Sequence, residues 1–326
     1  MGKTNRNHPT TAASSEATTT LLDFERRYPD DAACLEELVG MLYPGGIFCP
    51  TCEKVTKHHR VSTRTCYACQ FCGHQEYPMK GTIFEGSSTS LRHWFYAMYL
   101  MASTRCGISA KQLEREIGVS YPTAHRMFKK IRSLLAQDDA EQWDGTVEFD
   151  DAYVGGQAKW RSVGRSRAAG VVPGAYGGGT PKTPVAGAAQ RSRKGKHGKM
   201  HAKVKQTSTS AGEFQQMVVT KVLPGTTVYT DDAMAYRRNL EKLGYTHRRI
   251  QHSQKVYVSG DVHTNTIEGF WALLKGGIGG VYHSVSTEYL QNYLDEYAFR
   301  YNNRDNREGM FNAFLARIEK TPTDVS

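Results

Sequence analysis

Residues 146–154 read TVEFDDAYV, residues 183–190 read TPVAGAAQ and residues 226–232 read TTVYTDD. A fourth run of the same kind, MHAKVKQT, occupies residues 200–207. Short runs in which β-branched and other apolar residues are concentrated are typical of strands. Runs with helical periodicity accompany them at 211–222, 233–243, 264–275 and 286–303. Strands and helices in this order predict an α/β domain with a mixed sheet, which we place at residues 145–318.

The part of the chain before this domain has a different character. Residues 1–20 are mostly Thr, Ser, Ala and Asn, and they predict a disordered tail. Apolar residues then recur at near-helical spacing, with a break around Pro29, which predicts a helical lead-in at 21–45. A cysteine-rich module follows at 46–86. A strongly helical region at 87–136, interrupted by Gly107 and Gly118, completes this half.

Charge indicates the class of partner. The 326 residues, enough for about two domains at roughly 150 residues each, carry a formal charge of +10. Such an excess favours a polyanion, and nucleic acid first. The stretch 157–205 has twelve Lys or Arg and no Asp or Glu, and it contains a Gly-rich insertion at about 155–182. The insertion is either a basic arm that follows DNA or a solvated loop.

The sequence predicts a cytoplasmic location without membrane contact. It has no run of about 18 apolar residues. Its N-terminus lacks the apolar core of a signal peptide.

Two C-x2-C pairs, Cys49 with Cys52 and Cys69 with Cys72, are separated by sixteen residues. Two tight turns that each present two thiolates supply the four soft ligands of one closed, structural Zn²⁺ site. This spacing predicts a zinc ribbon. Cys66, three residues before Cys69, is an alternative ligand, although Gly73 favours Cys69 and Cys72 because it completes the turn.

The segment 108–132 predicts a helix-turn-helix. A Ser-capped helix runs to Gly118, and a second helix starts at Ser120. In such a motif the start of the second helix faces DNA, and basic residues near its end contact phosphates. The expected DNA-binding residues are Tyr121, Thr123, Arg126, Lys129, Lys130 and Arg132. A basic helical pair that packs against the ribbon is the alternative.

Acidic residues mark a possible catalytic site. Alternation along TVEFDD places Glu148 and Asp150 on the polar side of a strand, with Asp150 near its end. Asp231 follows another strand, and Glu268 lies on a helix with Lys275 two turns further on the same face. Three carboxylates from two strands and a helix suit a two-metal phosphoryl-transfer site. Spacing alone does not separate Asp150 from Asp151, or Asp231 from Asp232.

Seven segments occur in order between about Leu21 and Phe314: CPTC, YACQFCGH, KGTIFE, SAKQLEREIGVSYPTAHRMFKKIR, VEFDDAYVGG, VYTDDAMAY and HTNTIEGFWALLKGGIGGVYHSVSTEYLQNYLDEYAFRYNNR. Together they resemble the bacterial insertion-sequence transposases with an N-terminal zinc ribbon, a group related to Merlin elements. The resemblance implies an RNase H-like catalytic domain with the triad Asp150, Asp231 and Glu268. Lys275 meets the Glu-x6-Lys spacing of such enzymes. Two departures are that Asp151 stands where the family often has Glu, and that the Gly-rich stretch is longer than usual.

The activity implied by the resemblance is DNA transposition. The triad would hold Mg²⁺ or Mn²⁺, cleave the phosphodiester at the transposon ends and join the 3′-hydroxyl to target DNA. Trp271 and His283, near the helix that carries Glu268, are candidates for contact with DNA, although for Trp271 we favour helix core. The expected partner is double-stranded DNA, both the transposon ends and the target. We expect the protein to form a homodimer or higher homo-oligomer and to associate with the nucleoid. A DNA-binding regulator without catalysis, and a nuclease or resolvase that cuts without joining, are the alternatives.

Overall fold

The computed structural model describes residues 19–137, 140–155, 182–193, 197–205, 211–230, 240–249, 264–306 and 308–320. The chain forms two compact units, residues 1–134 with 305–326, and residues 135–304. Several predicted features lie outside the described residues: most of the tail at 1–20, most of the Gly-rich insertion, the acidic pair at 231–232 and the first part of the helix at 233–243.

Six helices are described in the first unit. They are α1 Leu21–Arg27, α2 Asp31–Leu42, α3 Leu91–Ser103, α4 Ala110–Ile117, α5 Tyr121–Ser133 and α9 Met310–Leu315. Thr20 and Asp23 form a capping box at the start of α1, so Thr20, at the end of the predicted tail, is the N-cap of this helix. The break predicted around Pro29 falls between α1 and α2.

An aromatic core holds the first unit together. Phe24 of α1 and Tyr28, the residue that follows α1, pack against rings of α3, with centroids 5.1 Å apart for Phe24–Tyr99 and for Tyr28–Phe95. Phe311 of α9 contacts Phe24, Tyr28 and Tyr99 edge-on, at 5.9–6.0 Å. Helix α9 therefore belongs to the core of the first unit. The α/β domain that we expected at 145–318 includes this helix, whereas the second unit ends at Arg304.

The cysteine-rich module is built from short antiparallel strands. Strands β1 Phe48–Cys49 and β2 Lys54–Val55 form a hairpin. Strands β3 His58–Arg60, β4 Tyr67–Cys69 and β5 Gln75–Glu76 form a three-stranded sheet. Each hairpin contributes strand residues next to a C-x2-C pair, as a zinc ribbon requires.

The second unit contains a five-stranded mixed sheet, as predicted for an α/β domain. Its strands are β6 Thr146–Val154, β7 Thr183–Gln190, β8 Met200–Val204, β9 Thr227–Thr230 and β10 Thr246–Arg249. They lie in the order β10-β9-β6-β7-β8. Strands β6, β7 and β8 form an antiparallel meander, whereas β9 and β10 run parallel to β6 on its other side. Strand β6 is therefore central.

Helices cover both faces of this sheet: α6 Ala211–Lys221, α7 Asn265–Gly277 and α8 Thr287–Asn302. On one face, Ala152 of β6 shares a core with Ile267 and Trp271 of α7. On the other, Val147 and Phe149 of β6 pack with residues of α6. Because side chains alternate along a strand, Glu148 and Asp150 lie on the α7 face.

None of the helices in the described part of the chain is both long and apolar enough to cross a membrane.

Candidate functional site

The four cysteines of the C-x2-C pairs come together in the ribbon. Their Sγ atoms all lie within 4.8 Å of one another, with Cys49 and Cys72 at 3.4 Å and Cys52 and Cys69 at 3.9 Å. A tetrahedral Zn²⁺ with Zn–S bonds of about 2.3 Å sets its sulfurs about 3.8 Å apart. The cluster therefore fits a structural zinc ion and supports the predicted site.

Hydrogen bonds prepare one of these thiols for the metal. The Thr56 hydroxyl lies 3.2 Å from the sulfur of Cys69. Together with the backbone N–H groups of Cys72 and Phe71, it lowers the pKa of Cys69 to about 5. The thiolate is the form that binds zinc. Cys66 is buried outside the cluster, with its sulfur 3.7 Å from Gln75, which excludes it from the ligand set.

Helices α4 and α5 form the predicted pair around a short turn. Gly118 ends α4 with φ +68°, a left-handed conformation that favours glycine, and Ser120 precedes the first residue of α5. Tyr121, Arg126 and Lys129 are exposed. The remaining expected DNA contact near the start of α5, Thr123, is half-buried.

Two basic residues of α5 differ from the prediction. Arg132 is only 4% exposed, and its guanidinium lies 5.4 Å from the centre of the Phe128 ring. Lys130 is half-buried and donates to the carbonyl oxygen of Ile83 at 2.9 Å. The expected phosphate contact by Arg132 is therefore wrong, because this side chain packs against the core of the unit.

Asp150 lies inside strand β6 and next to helix α7. The strand continues four residues further to Val154, so the expected position near its end is wrong. The Asp150 carboxylate is half-buried and accepts a hydrogen bond from the indole N–H of Trp271 at 3.1 Å. Opposite Asp150 in the ladder is Gly187, where an added Cβ would lie 2.6 Å from the Trp271 ring. Glycine at 187 therefore leaves the space through which the indole reaches Asp150.

Glu148, two residues earlier on the same face, is fully buried. It accepts hydrogen bonds from the backbone N–H groups of Thr266 and Ile267 at 2.9 and 3.1 Å. The Thr266 hydroxyl donates at 2.9 Å and the Arg191 guanidinium at 2.6 Å. The predicted polar side of the strand is thus covered by the start of α7 rather than by solvent.

Glu268 is exposed in the first turn of α7. It accepts a hydrogen bond at 2.8 Å from the hydroxyl of Thr264, the residue that precedes the helix. Trp271 lies three residues on, so Glu268 and Trp271 are neighbours on the helix surface. Lys275, also exposed, continues the same face two turns from Glu268. Glu268 therefore lies on the helix that contacts Asp150 through Trp271.

The two remaining acidic positions of the predicted site are Asp231 and Asp151. Asp231 follows Thr230, the last residue of β9, and lies outside the described residues. Asp151 points to the opposite face of the sheet from Asp150, where the Lys205 ammonium lies 2.7 Å from its carboxylate. Of the two adjacent aspartates, only Asp150 contacts α7.

Within the described residues, much of the basic stretch 157–205 forms ion pairs inside the second unit. Four of its cations form ion pairs with carboxylates of the second unit: Arg191 with Glu148, Arg193 with Asp144, Lys199 with Glu141, and Lys205 with Asp151. Each pair places a cation of this stretch against a carboxylate of the same unit. Most of the Gly-rich insertion lies outside the described residues.

Trp271 and His283 have different environments. Trp271 is 4% exposed and belongs to the core between α7 and the sheet, so the alternative of helix core is correct. His283 is exposed, with φ +61°, directly after the π-helical segment Ile278–Tyr282 that continues α7. The sequence did not predict the contact between Trp271 and Asp150, because no local pattern shows which face of the helix packs on β6.

Comparison with known proteins agrees with these features. Residues 142–302 match the ISXO2-like transposase domain, and residues 29–75 match a transposase zinc-ribbon domain. A protein of Halobacterium salinarum, described as an uncharacterized protein in the transposable element ISH50, is 32% identical over 273 residues. The aligned part covers 81% of this chain and 88% of that protein. The chain therefore belongs to the insertion-sequence transposases that carry an N-terminal zinc ribbon.

Proposed function

We propose that this chain is a metal-dependent DNA transposase that binds transposon ends, cleaves them and joins the resulting 3′-hydroxyl to target DNA. Asp150, Asp231 and Glu268 are the proposed catalytic carboxylates of an RNase H-like domain. The observation that carries the proposal is the placement of Asp150 on the central strand against α7, the helix whose first turn bears Glu268. A central strand with parallel neighbours on one side and a meander on the other is consistent with this fold.

The donor set suits Mg²⁺ or Mn²⁺. Carboxylate oxygens are the hard ligands that these ions prefer, and Asp150 and Glu268 reach the site from a rigid strand and a helix. When bound, two such ions would supply Lewis acidity for in-line displacement at phosphorus. Lys275, exposed two turns from Glu268 on the same face, would bind a phosphate of the DNA strand that lies along α7.

DNA recognition falls to the first unit in this proposal. The exposed side chains Tyr121, Arg126 and Lys129 would face the duplex, with Thr123 beside them at the start of α5. Lys130 remains a weaker candidate, because its ammonium already donates to Ile83. The zinc ribbon would hold the fold of the neighbouring segment and add phosphate contacts. Two ends must be joined in one event, so we propose a dimer or higher homo-oligomer at the nucleoid.

The proposal is tested with duplexes that bear the inverted repeats flanking the gene. Wild-type protein should nick these ends with Mg²⁺ or Mn²⁺ and form joined products with target DNA. The Glu268→Gln variant should bind the ends with unchanged affinity and neither cut nor join. Glu288→Gln is the matched control, because Glu288 is also an exposed glutamate in the first turn of a helix of the same unit.

Other outcomes identify the other functions. Binding of the ends without cleavage in either metal would replace the transposase with a transposase-derived regulator. Cleavage without any joined product would indicate a nuclease or resolvase.

A further inference from the structure

Glu148 joins the strand that carries Asp150 to the helix that carries Glu268. Its Oε2 atom accepts from the backbone N–H groups of Thr266 and Ile267, at 2.9 and 3.1 Å. Its Oε1 atom accepts from the Thr266 hydroxyl at 2.9 Å and from the Arg191 Nε at 2.6 Å. The carboxylate thus satisfies donors of the first turn of α7 in the way that a capping residue does, but from a strand more than 100 residues earlier in the chain.

The charge of Glu148 suits this position. The free N–H groups at a helix N-terminus carry partial positive charge, which a carboxylate stabilises. Arg191, itself 16% exposed, balances the remaining charge, and its guanidinium lies 4.5 Å from the centre of the Tyr229 ring on β9. Burial of a carboxylate is costly unless it is paired and hydrogen-bonded in this manner.

Glu148 is not itself suited to bind the catalytic metal. An ionised carboxylate offers about four lone-pair positions, and the four donors of α7 and Arg191 occupy them. The neighbouring Asp150, in contrast, is half-buried and Glu268 is exposed. The three carboxylates therefore divide into one that is enclosed by protein donors and two that are accessible.

The spacing is short on both elements. Asp150 is two residues after Glu148 on the same face of β6, and Glu268 is two residues after Thr266 on α7. The hydrogen bond between Trp271 and Asp150 is a second connection between the same two elements, one turn further along the helix. A displacement of the start of α7 along β6 would change the separation of the Asp150 and Glu268 carboxylates directly.

We infer that Glu148, with Arg191, is a positioning residue that fixes the start of α7 on β6 and so sets the separation of Asp150 and Glu268 for metal binding. The inference rests on the proposed function, since it assigns Glu148 a role at the same site. Groups that orient metal ligands through hydrogen bonds typically change metal affinity by 10–100-fold when they are removed. Glu148 would act through Thr266 and the helix rather than through the metal.

The test measures metal affinity apart from catalysis. Binding of Mn²⁺ to the full-length, zinc-loaded protein is followed by electron paramagnetic resonance, and the Mg²⁺ concentration for half-maximal cleavage is measured in parallel. Glu148→Gln should weaken Mn²⁺ binding about tenfold or more. Excess Mg²⁺ should restore its cleavage at saturation, whereas Glu268→Gln should remain inactive at every Mg²⁺ concentration.

A matched control separates positioning from loss of stability. Glu296 is also fully buried and pairs with Arg300 at 2.8 Å, but both residues lie on α8. Glu296→Gln should lower the melting temperature and leave the Mn²⁺ affinity at the wild-type value. Thr266→Val removes one hydroxyl donor to Glu148 and keeps the side-chain shape, so it should weaken Mn²⁺ binding several-fold even if Glu148→Gln fails to fold.

The outcomes distinguish the two proposals. Wild-type protein that neither binds Mn²⁺ nor cleaves DNA would overturn the proposed function and the inference with it. Wild-type protein that does both, together with unchanged Mn²⁺ affinity in Glu148→Gln or in a folded Thr266→Val, would overturn the inference alone. An equal loss of Mn²⁺ affinity in Glu296→Gln would also overturn it, because the effect would then follow stability.

Discussion

The indole N–H of Trp271 donates to the carboxylate of Asp150 across 3.1 Å, in the space left by Gly187. A buried tryptophan commonly finds a partner for its N–H group, and here the partner is a proposed metal ligand. The contact fixes the orientation of the carboxylate before any metal arrives. Substitutions of Trp271 or Gly187, which we do not expect to contact DNA, should therefore change the site.

Replacement of Trp271 by phenylalanine should therefore reduce both cleavage and stability. We expect cleavage to fall about tenfold, in line with other losses of hydrogen bonds to metal ligands, and stability to fall by about 1–2 kcal/mol. Trp143→Phe is the control, because the buried N–H of Trp143 has no hydrogen-bond partner among the described residues. Cleavage by Trp271→Phe at the level of Trp143→Phe would contradict the orienting role.

Substitution of Gly187 by alanine should destabilise the second unit. The new methyl group would lie 2.6 Å from the Trp271 ring, and overpacking of this kind costs about 1–3 kcal/mol. Thermal unfolding measures the loss. Gly269→Ala is the control, since nothing lies within 4 Å of its added Cβ on α7. Because phenylalanine lacks the crowded part of the indole, combining Gly187→Ala with Trp271→Phe should recover part of the stability. A strictly additive loss would argue against this packing.

Loss of any ligand thiol should remove the zinc. Cys49→Ser should lower the zinc content from one ion per chain to nearly none and unfold the ribbon, because such small modules depend on their metal. Cys66→Ser should keep the full zinc content, since Cys66 lies outside the cluster. Metal analysis of the purified proteins decides this, and a zinc loss in the Cys66 variant would contradict the ligand set.

Two exposed cations on α5 should contribute to DNA affinity. Arg126→Ala and Lys129→Ala should each weaken binding to the transposon ends and reduce the dependence of log affinity on log salt by about 1. Arg132→Ala should mainly lower stability, because this side chain is 4% exposed. Arg26→Ala, an exposed arginine of α1, provides the reference. Equal effects of all three arginine substitutions on affinity would indicate non-specific charge loss.

The ion pair between Lys320 and Glu76, at 2.5 Å, should make the first unit sensitive to acid. Partial burial raises the pKa of Glu76, but hydrogen bonds from Lys320 and Tyr43 outweigh it and leave the pKa below its ordinary value of 4.5. A depressed carboxyl pKa contributes stability above the unfolded value that is lost as the pH falls through the folded one. Glu76→Gln should therefore cost about 0.5–1 kcal/mol near neutral pH and nothing in strong acid. A pH-independent difference in chemical unfolding would contradict this coupling.

Local patterns predicted the parts of the fold that depend on neighbours in sequence. Strand β7 spans residues 183–190, the range predicted from its apolar run, and both C-x2-C pairs are signals of four residues each. Strand β10, by contrast, was missed because its residues, THRR, contain no apolar side chain. Its strand character comes from parallel pairing with β9, which local sequence does not encode.

The candidate site was predictable in its residue types and not in its contacts. Alternation correctly placed Glu148 and Asp150 on one face of β6, but it indicated a polar surface where α7 packs. The groups that enclose Glu148 come from Arg191 and Thr266, 43 and 118 residues away along the chain. For Arg132 a signal was present, because it lies four residues after Phe128 on the buried side of α5.

Helix α9 is synthesised after the other elements of the aromatic core that it completes. Phe311 completes the aromatic core formed by Phe24, Tyr28 and Tyr99, and Lys320 pairs with Glu76 in the same unit. The ribosome synthesises these residues after the ribbon and the helical pair. A product cut short before residue 310 therefore leaves the core of its N-terminal half incomplete, so only chains that extend through Lys320 finish the part of the molecule that we expect to read DNA.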